Sequence, residues 1–251
     1  MIANYHTHTR WCNHAVGEIE DYIKAAIEAG LKEIAITDHV PHSENDDLAR
    51  MKWEEFAAYN KELDEKIEKY KNQIRVIKGF ECEYYKEKLE TYKMFREEYG
   101  YEILILGQHW CDHKRIDSFA KKEDEKPLYI YANEVCEGLE TGVFTFLAHP
   151  DLILEKYNDG KWDIHCENVM RQIFSTCERL NIPVEINVNG LRGGRRYPDT
   201  QALKLSKEYK LTYLINSDAH DPRFLSDEAI EKTEALAQSL NIQVTPILEK
   251  F

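Results

Sequence analysis

The chain has 251 residues, a hydrophobic fraction of 43% and a formal net charge of −13. That length suits one α/β barrel, and the apolar content can supply a sizeable core. The acidic balance, with no clustered Lys/Arg stripe, argues against a nucleic-acid partner, and the lack of any run of about eighteen apolar residues argues against a membrane span.

Short apolar runs alternate with amphipathic stretches. Residues 2–5 predict a first strand. Residues 17–29 carry Ile19, Ile23, Ala26 and Ile27 at helical spacing, and Gly30 reads as the C-cap. A strand is expected at 33–37 and a helix at 53–72, with Lys61 to Lys71 as a solvated face. Strands at 74–80 and 101–106 follow, then a helix at 128–141, a strand at 144–148 and a helix at 166–180. The last part reads as strand 184–187, helix 200–209, strand 212–216, a helix at 226–240 opening near Ser226, and a weak strand at 243–247. The polar segments 43–51 and 116–126 are long enough to help form a lid and equally suit ordinary surface loops. Strand–helix alternation implies a mostly parallel sheet with crossover helices. The expected fold class is α/β, with residues 1–251 as a single domain whose sheet closes into a distorted TIM-like barrel.

The N-terminal stretch has no basic segment and no apolar run of signal-peptide type, so a cytoplasmic location is expected. Six cysteines, Cys12, Cys82, Cys111, Cys136, Cys166 and Cys177, form no C-x-x-C pair. They read as reduced, mostly buried thiols. Cys12, Cys82 and Cys111 lie close in sequence to candidate ligands, where packing beside the site competes with soft metal ligation.

Seven of the ten histidines stand just past apolar runs, with two carboxylates in the same kind of place. They are His6, His8, His14, His39, His109, His149 and His220, joined by Glu81 and Asp218. Imidazole and carboxylate are the ligand types of zinc, manganese and iron. In parallel barrels the chemistry sits at the C-terminal ends of several strands. One such histidine is an ordinary rim residue; nine residues in register point to one polymetal site. His6 and His8, at i and i+2, can point to one side and bind one ion together, and Asp218 and His220 can reach adjacent positions.

The stretches Tyr5-His6-Thr7-His8-Thr9, Ile36-Thr37-Asp38-His39, Gly79-Phe80-Glu81, Leu106-Gly107-Gln108-His109, Ala148-His149-Pro150 and Asn216-Ser217-Asp218-Ala219-His220 resemble, in order, the motifs of the polymerase-and-histidinol-phosphatase (PHP) superfamily of metal-dependent phosphoesterases. Trp11-Cys12-Asn13-His14, Asp38-His39-Val40-Pro41, and Glu185-Ile186-Asn187 with Gly190-Leu191-Arg192 are similar to its histidinol-phosphatase branch. Two stretches depart from that branch: Glu81-Cys82-Glu83-Tyr84 stands where Glu-Val-Asp-Tyr is usual, and Gln108-His109-Trp110 falls in a motif that is often Ser-x-His-Phe. The resemblance implies a distorted (β/α)7 barrel and three divalent ions, zinc, manganese or iron. One ion would take His6, His8, Glu81 and Asp218. A second would share Glu81 and add His109 and His149. The third would take His14, His39 and His220.

On that basis the expected reaction is hydrolysis of L-histidinol phosphate to L-histidinol and inorganic phosphate, in histidine biosynthesis. The two ions sharing Glu81 are expected to share a hydroxide nucleophile, with the third holding a phosphate oxygen. Three divalent ions against two carboxylates and one hydroxide leave about three positive charges, which suits a phosphate dianion despite the acidic chain. Arg192 is the first choice for a bidentate phosphate contact, with Arg195 and Arg196 as further candidates and a surface ion pair as the competing reading. His42 could orient substrate or protonate the leaving alkoxide, or be a loop residue. Glu18 and Glu83 could meet a substrate amine, or be solvated. His113 and His165 are read as outside the site. The alternatives are the same chemistry on another small phosphate ester, a nucleotide or sugar phosphate, and a non-catalytic metal-binding domain. Nothing in the pattern marks an oligomeric state.

Overall fold

A computed structural model describes residues 1–42, 48–111, 114–115 and 124–249. The segments read as lid or surface loops lie largely outside the described residues, and so does His113.

Seven short strands form one parallel sheet: β1 (Ala3–Asn4), β2 (Glu33–Ile36), β3 (Arg75–Cys82), β4 (Ile103–Leu106), β7 (Phe146–Leu147), β8 (Val184–Asn187) and β9 (Tyr213–Asn216), neighbours in that order. Between β4 and β7 lies a small antiparallel ribbon, β5 (Trp110–Cys111) with β6 (Lys114–Arg115). The strands read as continuous apolar runs because both of their faces are buried. The pleat divides them. Ala3, Ala35, Ile77, Ile103, Ile105, Phe146 and Leu214 fill the barrel interior, while Ile34, Ile36, Val76, Leu104, Leu106 and Leu147 face the helices.

The helices are α1 (Ile19–Glu28), α2 (Phe56–Tyr70), α3 (Leu89–Tyr99), α4 (Lys126–Glu140), α5 (Ile164–Leu180), the short α6 (Val188–Arg192) and α7 (Thr200–Ser206), and α8 (Glu228–Ser239). In α1, Ile19, Tyr22, Ile23 and Ala26 are buried, and Gly30 leaves the helix at φ 76°, a backbone region glycine occupies without strain. This is the distorted (β/α)7 barrel that the motif order implies. No described helix is long and apolar enough to cross a membrane.

Several elements differ from the sequence reading, among them the β5–β6 ribbon and the short α6, which have no counterpart in it. The 243–247 segment makes only a single bridge, Val244 to Tyr213; Pro246 has no N–H with which to extend a ladder. Helix α3 has no counterpart in the sequence reading, because only Tyr92 and Phe95 of its eleven residues are fully buried and charge dominates the rest.

Closure of the barrel is unusual. Between β9 and β1 the backbone meets at Thr7 and Ala219, with His8 N–H donating to the Ala219 carbonyl at 2.9 Å. Below that point two asparagine side chains stand in for a ladder: Asn216 Oδ1 accepts from Tyr5 N at 2.9 Å, and Asn4 Oδ1 accepts from Ser217 N at 2.7 Å. This seam lies directly under the histidines of β1 and the Asp218 turn.

Candidate metal centre

The strands deliver their C-terminal residues to one rim. His6 and His8 follow β1, His39 follows β2, Glu81 lies on β3, His109 follows β4, His149 follows β7, and Asp218 and His220 follow β9. His14 comes from the turn after the 3-10 segment Arg10–Cys12. All but the fully buried His6 line a cavity of about 340 Å3. His149 and Asp218 hold left-handed backbone, at φ 26° and 46°, which costs non-glycine residues on the order of 1–3 kcal/mol and gathers at functional sites. Gly107 is required by its neighbour: a Cβ there would lie 1.9 Å from Glu81 Oε1.

Glu81 and Asp218 organise the donors. His6 Nε2 stands 3.4 Å from Glu81 Oε2 and 3.6 Å from Asp218 Oδ1, and His8 Nε2 stands 3.3 and 3.2 Å from the same atoms. Among the described residues neither nitrogen has a hydrogen-bond partner. Donors arranged tetrahedrally at 2.0–2.1 Å from one ion lie roughly 3.3–3.4 Å apart, so this spacing fits a cation between them. The other oxygen, Glu81 Oε1, faces His149 Nε2 at 2.9 Å and His109 Nε2 at 3.7 Å. His39 Nδ1 is 3.2 Å from Glu81 Oε2, and its ring lies 5.4 Å from that of His14. His14 and His220 bring their Nε2 atoms to 3.0 Å. Each donates its Nδ1–H to a carbonyl, Cys12 O at 2.7 Å and Asp218 O at 3.0 Å. The facing nitrogens therefore present two lone pairs to each other, an arrangement that a shared cation relieves.

Charge follows the same division. Burial alone would raise the carboxyls of Glu81 and Asp218, yet the imidazoles around them, His6 first, hold both well below the usual carboxylate range. Burial would likewise lower His6 and His8, but Asp218, Glu185 and Glu81 hold His6 well above its ordinary value, and Asp218 and Glu81 bring His8 to about 9. Without a metal, protons on His6 and His8 balance the two carboxylates; an ion would displace those protons. His14, His39 and His220 go the other way. Burial lowers all three, aided by the charge of His8, and takes His220 to about 3, so these rings are neutral with lone pairs to offer.

A layer of partners aims the imidazoles. Glu185, buried on β8, accepts His6 Nδ1 at 2.8 Å and the His149 main-chain N–H at 3.0 Å. Asn216 and Asn187 also donate to it, at 3.1 and 2.8 Å. Glu83 accepts His109 Nδ1 at 3.0 Å and the His109 N–H at 2.7 Å. Cys12 Sγ lies 3.2 Å from His8 Nδ1 and donates to Asp38 Oδ1 at 2.9 Å. Cys12 thus packs behind a histidine, and burial beside Asp38 pushes its thiol well up. Such outer partners fix tautomer and ring orientation at metal sites. Glu185, quoted in the sequence only as part of a motif and given no role there, carries a signal of its own, an acid between the apolar Val184 and Ile186 of a buried strand.

The expected substrate contacts are redistributed. Arg192 does not line the cavity: its guanidinium pairs with Asp227 at 2.6 and 3.1 Å and donates to the Ser217 and Phe224 carbonyls. Arg195 does line it, beside Tyr197, to whose hydroxyl it donates at 2.8 Å. Arg196 is bound to Asp199 and to the carbonyls of Leu154 and Tyr157. His42 is buried against Tyr85 and Tyr92, away from the cavity lining. Glu18 caps α1 and pairs with Arg10, also outside the cavity. His165 lies apart, against Tyr129. Arg50, Trp110, Glu83, Arg115, Glu155 and Lys156 also line the wall; Arg50, Arg115, Glu155 and Lys156 were not picked out by sequence.

A sequence profile described as the PHP domain matches residues 4–189. The chain belongs to the PHP family. Among PHP relatives it is 26% identical over 234 residues to a probable histidinol-phosphatase of Deinococcus radiodurans, covering 88% of this chain and 87% of that protein. A probable histidinol-phosphatase of Schizosaccharomyces pombe is 24% identical over 254 residues, with 88% of this chain and 81% of that protein covered. The fold is similar to the crystal structure of histidinol phosphate phosphatase from Lactococcus lactis complexed with zinc, L-histidinol and phosphate, with a TM-score of 0.78, 14% identity, and 96% and 94% of the two chains covered.

Proposed function

We propose that this PHP chain is a phosphoric monoester hydrolase that converts L-histidinol phosphate to L-histidinol and inorganic phosphate at a centre of three divalent ions. The observation that carries this reading is Glu81, a buried carboxylate whose two oxygens face different imidazole groups, with His14 and His220 meeting a short way off. His6, His8, Glu81 and Asp218 would hold one ion, Glu81, His109 and His149 the second, and His14, His39 and His220 the third. Zinc, manganese and iron all accept such donors, and the Lactococcus neighbour was crystallised with zinc. Bound divalent ions supply a water of lowered pKa and polarise the phosphoryl oxygens.

The chain's own residues do the rest. Arg195, across the cavity, offers a planar donor fork to the phosphate. Burial pushes the Tyr197 phenol up, so its hydroxyl stays protonated and can donate to a phosphoryl oxygen or to the departing alkoxide. The loop bearing both is held by Asp151, which accepts from Asp199 N, and by Arg196.

A second reading, a nucleotide or sugar phosphate, is favoured by the acids assigned to a substrate amine: Glu18 lies outside the cavity and Glu83 is bound to His109. Steady-state kcat/KM across a panel of phosphate esters separates the two. Histidinol phosphate should exceed the others by at least about tenfold, or about 1.4 kcal/mol in transition-state binding. Preference for a nucleotide or sugar phosphate would establish the second reading, and negligible turnover of all would contradict both.

A further inference from the structure

The ligand histidines are not equally supported. Two are backed at Nδ1 by a buried carboxylate: His6 by Glu185 at 2.8 Å and His109 by Glu83 at 3.0 Å. These two flank Glu81, with His6 Nε2 toward Oε2 and His109 Nε2 toward Oε1. Glu83 is itself held. Its Oε2 takes the N–H groups of His109 and Trp110, Arg50 Nη2 lies 3.5 Å from Oε1, and Tyr92 donates to its main-chain oxygen. A carboxylate behind an imidazole fixes the tautomer, strengthens the donor and offsets the charge of the ion.

Among the described residues His14 and His220 have carbonyl oxygens at hydrogen-bond distance behind them, Cys12 O and Asp218 O, with the Asp218 carboxylate farther off at 3.6 Å from His220 Nδ1. The set that includes them is made of imidazoles alone, with Glu81 Oε2 3.2 Å from His39 Nδ1, whereas Glu81 and Asp218 would themselves be ligands in the others. Solvent access separates the sets in part. The side chains of His6, His8 and His149 are 0%, 1% and 2% exposed, whereas that of His220 is 22% and His14 lies at the exposed mouth; His109, at 29%, and His39, at 12%, run against this order, so the backing carboxylates carry the distinction. Water that reaches a site weakens its electrostatics and competes for the ion.

We infer that the centre is graded: the two positions flanking Glu81 hold their ions tightly, Glu83 and Glu185 being the positioning residues that make them tight, and the position where His14 and His220 meet exchanges its ion readily. This rests on the three-ion reading above.

The test is stepwise removal of zinc from the full, loaded chain by a chelator series, with metal analysis at each step. One ion should leave at a chelator concentration at least about tenfold below that removing the other two. In Glu83→Gln, which keeps the shape but not the charge, a second ion should join the labile class, weakened about 10–100-fold. In His14→Ala the labile ion should be missing and the two tight ones should remain. Loss of all three zinc ions together, or a Glu83→Gln profile matching the parent, overturns the grading while leaving the three-ion reading intact. Fewer than two ions bound to the parent protein would overturn both. Circular dichroism of each variant distinguishes a lost ligand environment from a lost fold.

Discussion

Arg192 and Arg195 lie three residues apart, and the structure gives them opposite surroundings. Arg195 lines the cavity, and Arg192 spends its fork on Asp227 and two carbonyls. Arg195→Ala is therefore expected to raise KM for a phosphate ester by tenfold or more, with bound metal unchanged. Arg192→Ala should leave KM near the parent value and lower stability by about 1–3 kcal/mol, the scale of lost hydrogen bonds to a charged group. Steady-state kinetics with denaturant titration checks both; a large KM effect from Arg192 alone would reverse the assignment. Sequence could not separate these arginines, because which one meets Asp227 depends on where α8 docks. The positions of eight of the nine candidate ligands were legible because each sits at or just past the end of a strand whose apolar run is plain; His14, on the turn after Arg10–Cys12, is the exception. Their supporting groups were not: Glu185 and Glu83 reach histidines 179 and 26 residues away, a distance no local pattern encodes.

At the level of elements, the seven barrel strands were legible because burial on both faces leaves short, uninterrupted apolar runs. Helix α3 was not, since a helix that buries only Tyr92 and Phe95 lacks a wide apolar stripe. Nor was the β5–β6 ribbon, whose strands are two residues each. The β9–β1 seam was equally hidden, as side-chain amides replace a backbone ladder there. Asn216 binds Tyr5 N on one side and Glu185 on the other, so it joins barrel closure to the carboxylate behind His6. Asn216→Ala should destabilise the fold by about 1–3 kcal/mol through unsatisfied buried partners and weaken metal binding as well. Hydrogen exchange should show the loss of protection concentrated at Tyr5 and Ser217; uniform loss across the barrel would argue against a local seam.

For the whole molecule, the buried charge cluster links stability, pH and metal. In the metal-free protein burial works against a charged His8, but Asp218 and Glu81 outweigh it and bring its pKa to about 9. The unfolded value is about 6.5. A raised folded pKa gives stability that is fully present below the unfolded value and lost as pH rises through the folded one. His14, His39 and His220 are shifted downward and are neutral in both states from about pH 7.5 upward, across most of that range. The melting temperature of metal-free protein should therefore fall between about pH 6.5 and 9.5, while apparent metal affinity rises over the same range as fewer protons must be displaced. A flat or rising melting temperature would contradict this sign.

The central claim is that Glu81 joins two ion positions in a three-ion centre. Metal analysis of the purified protein and of Glu81→Gln tests it most directly. The account predicts close to three divalent ions per chain in the parent and at most one in the variant, with the fold retained by circular dichroism; fewer than two in the parent, or an unchanged count in the variant, would contradict it.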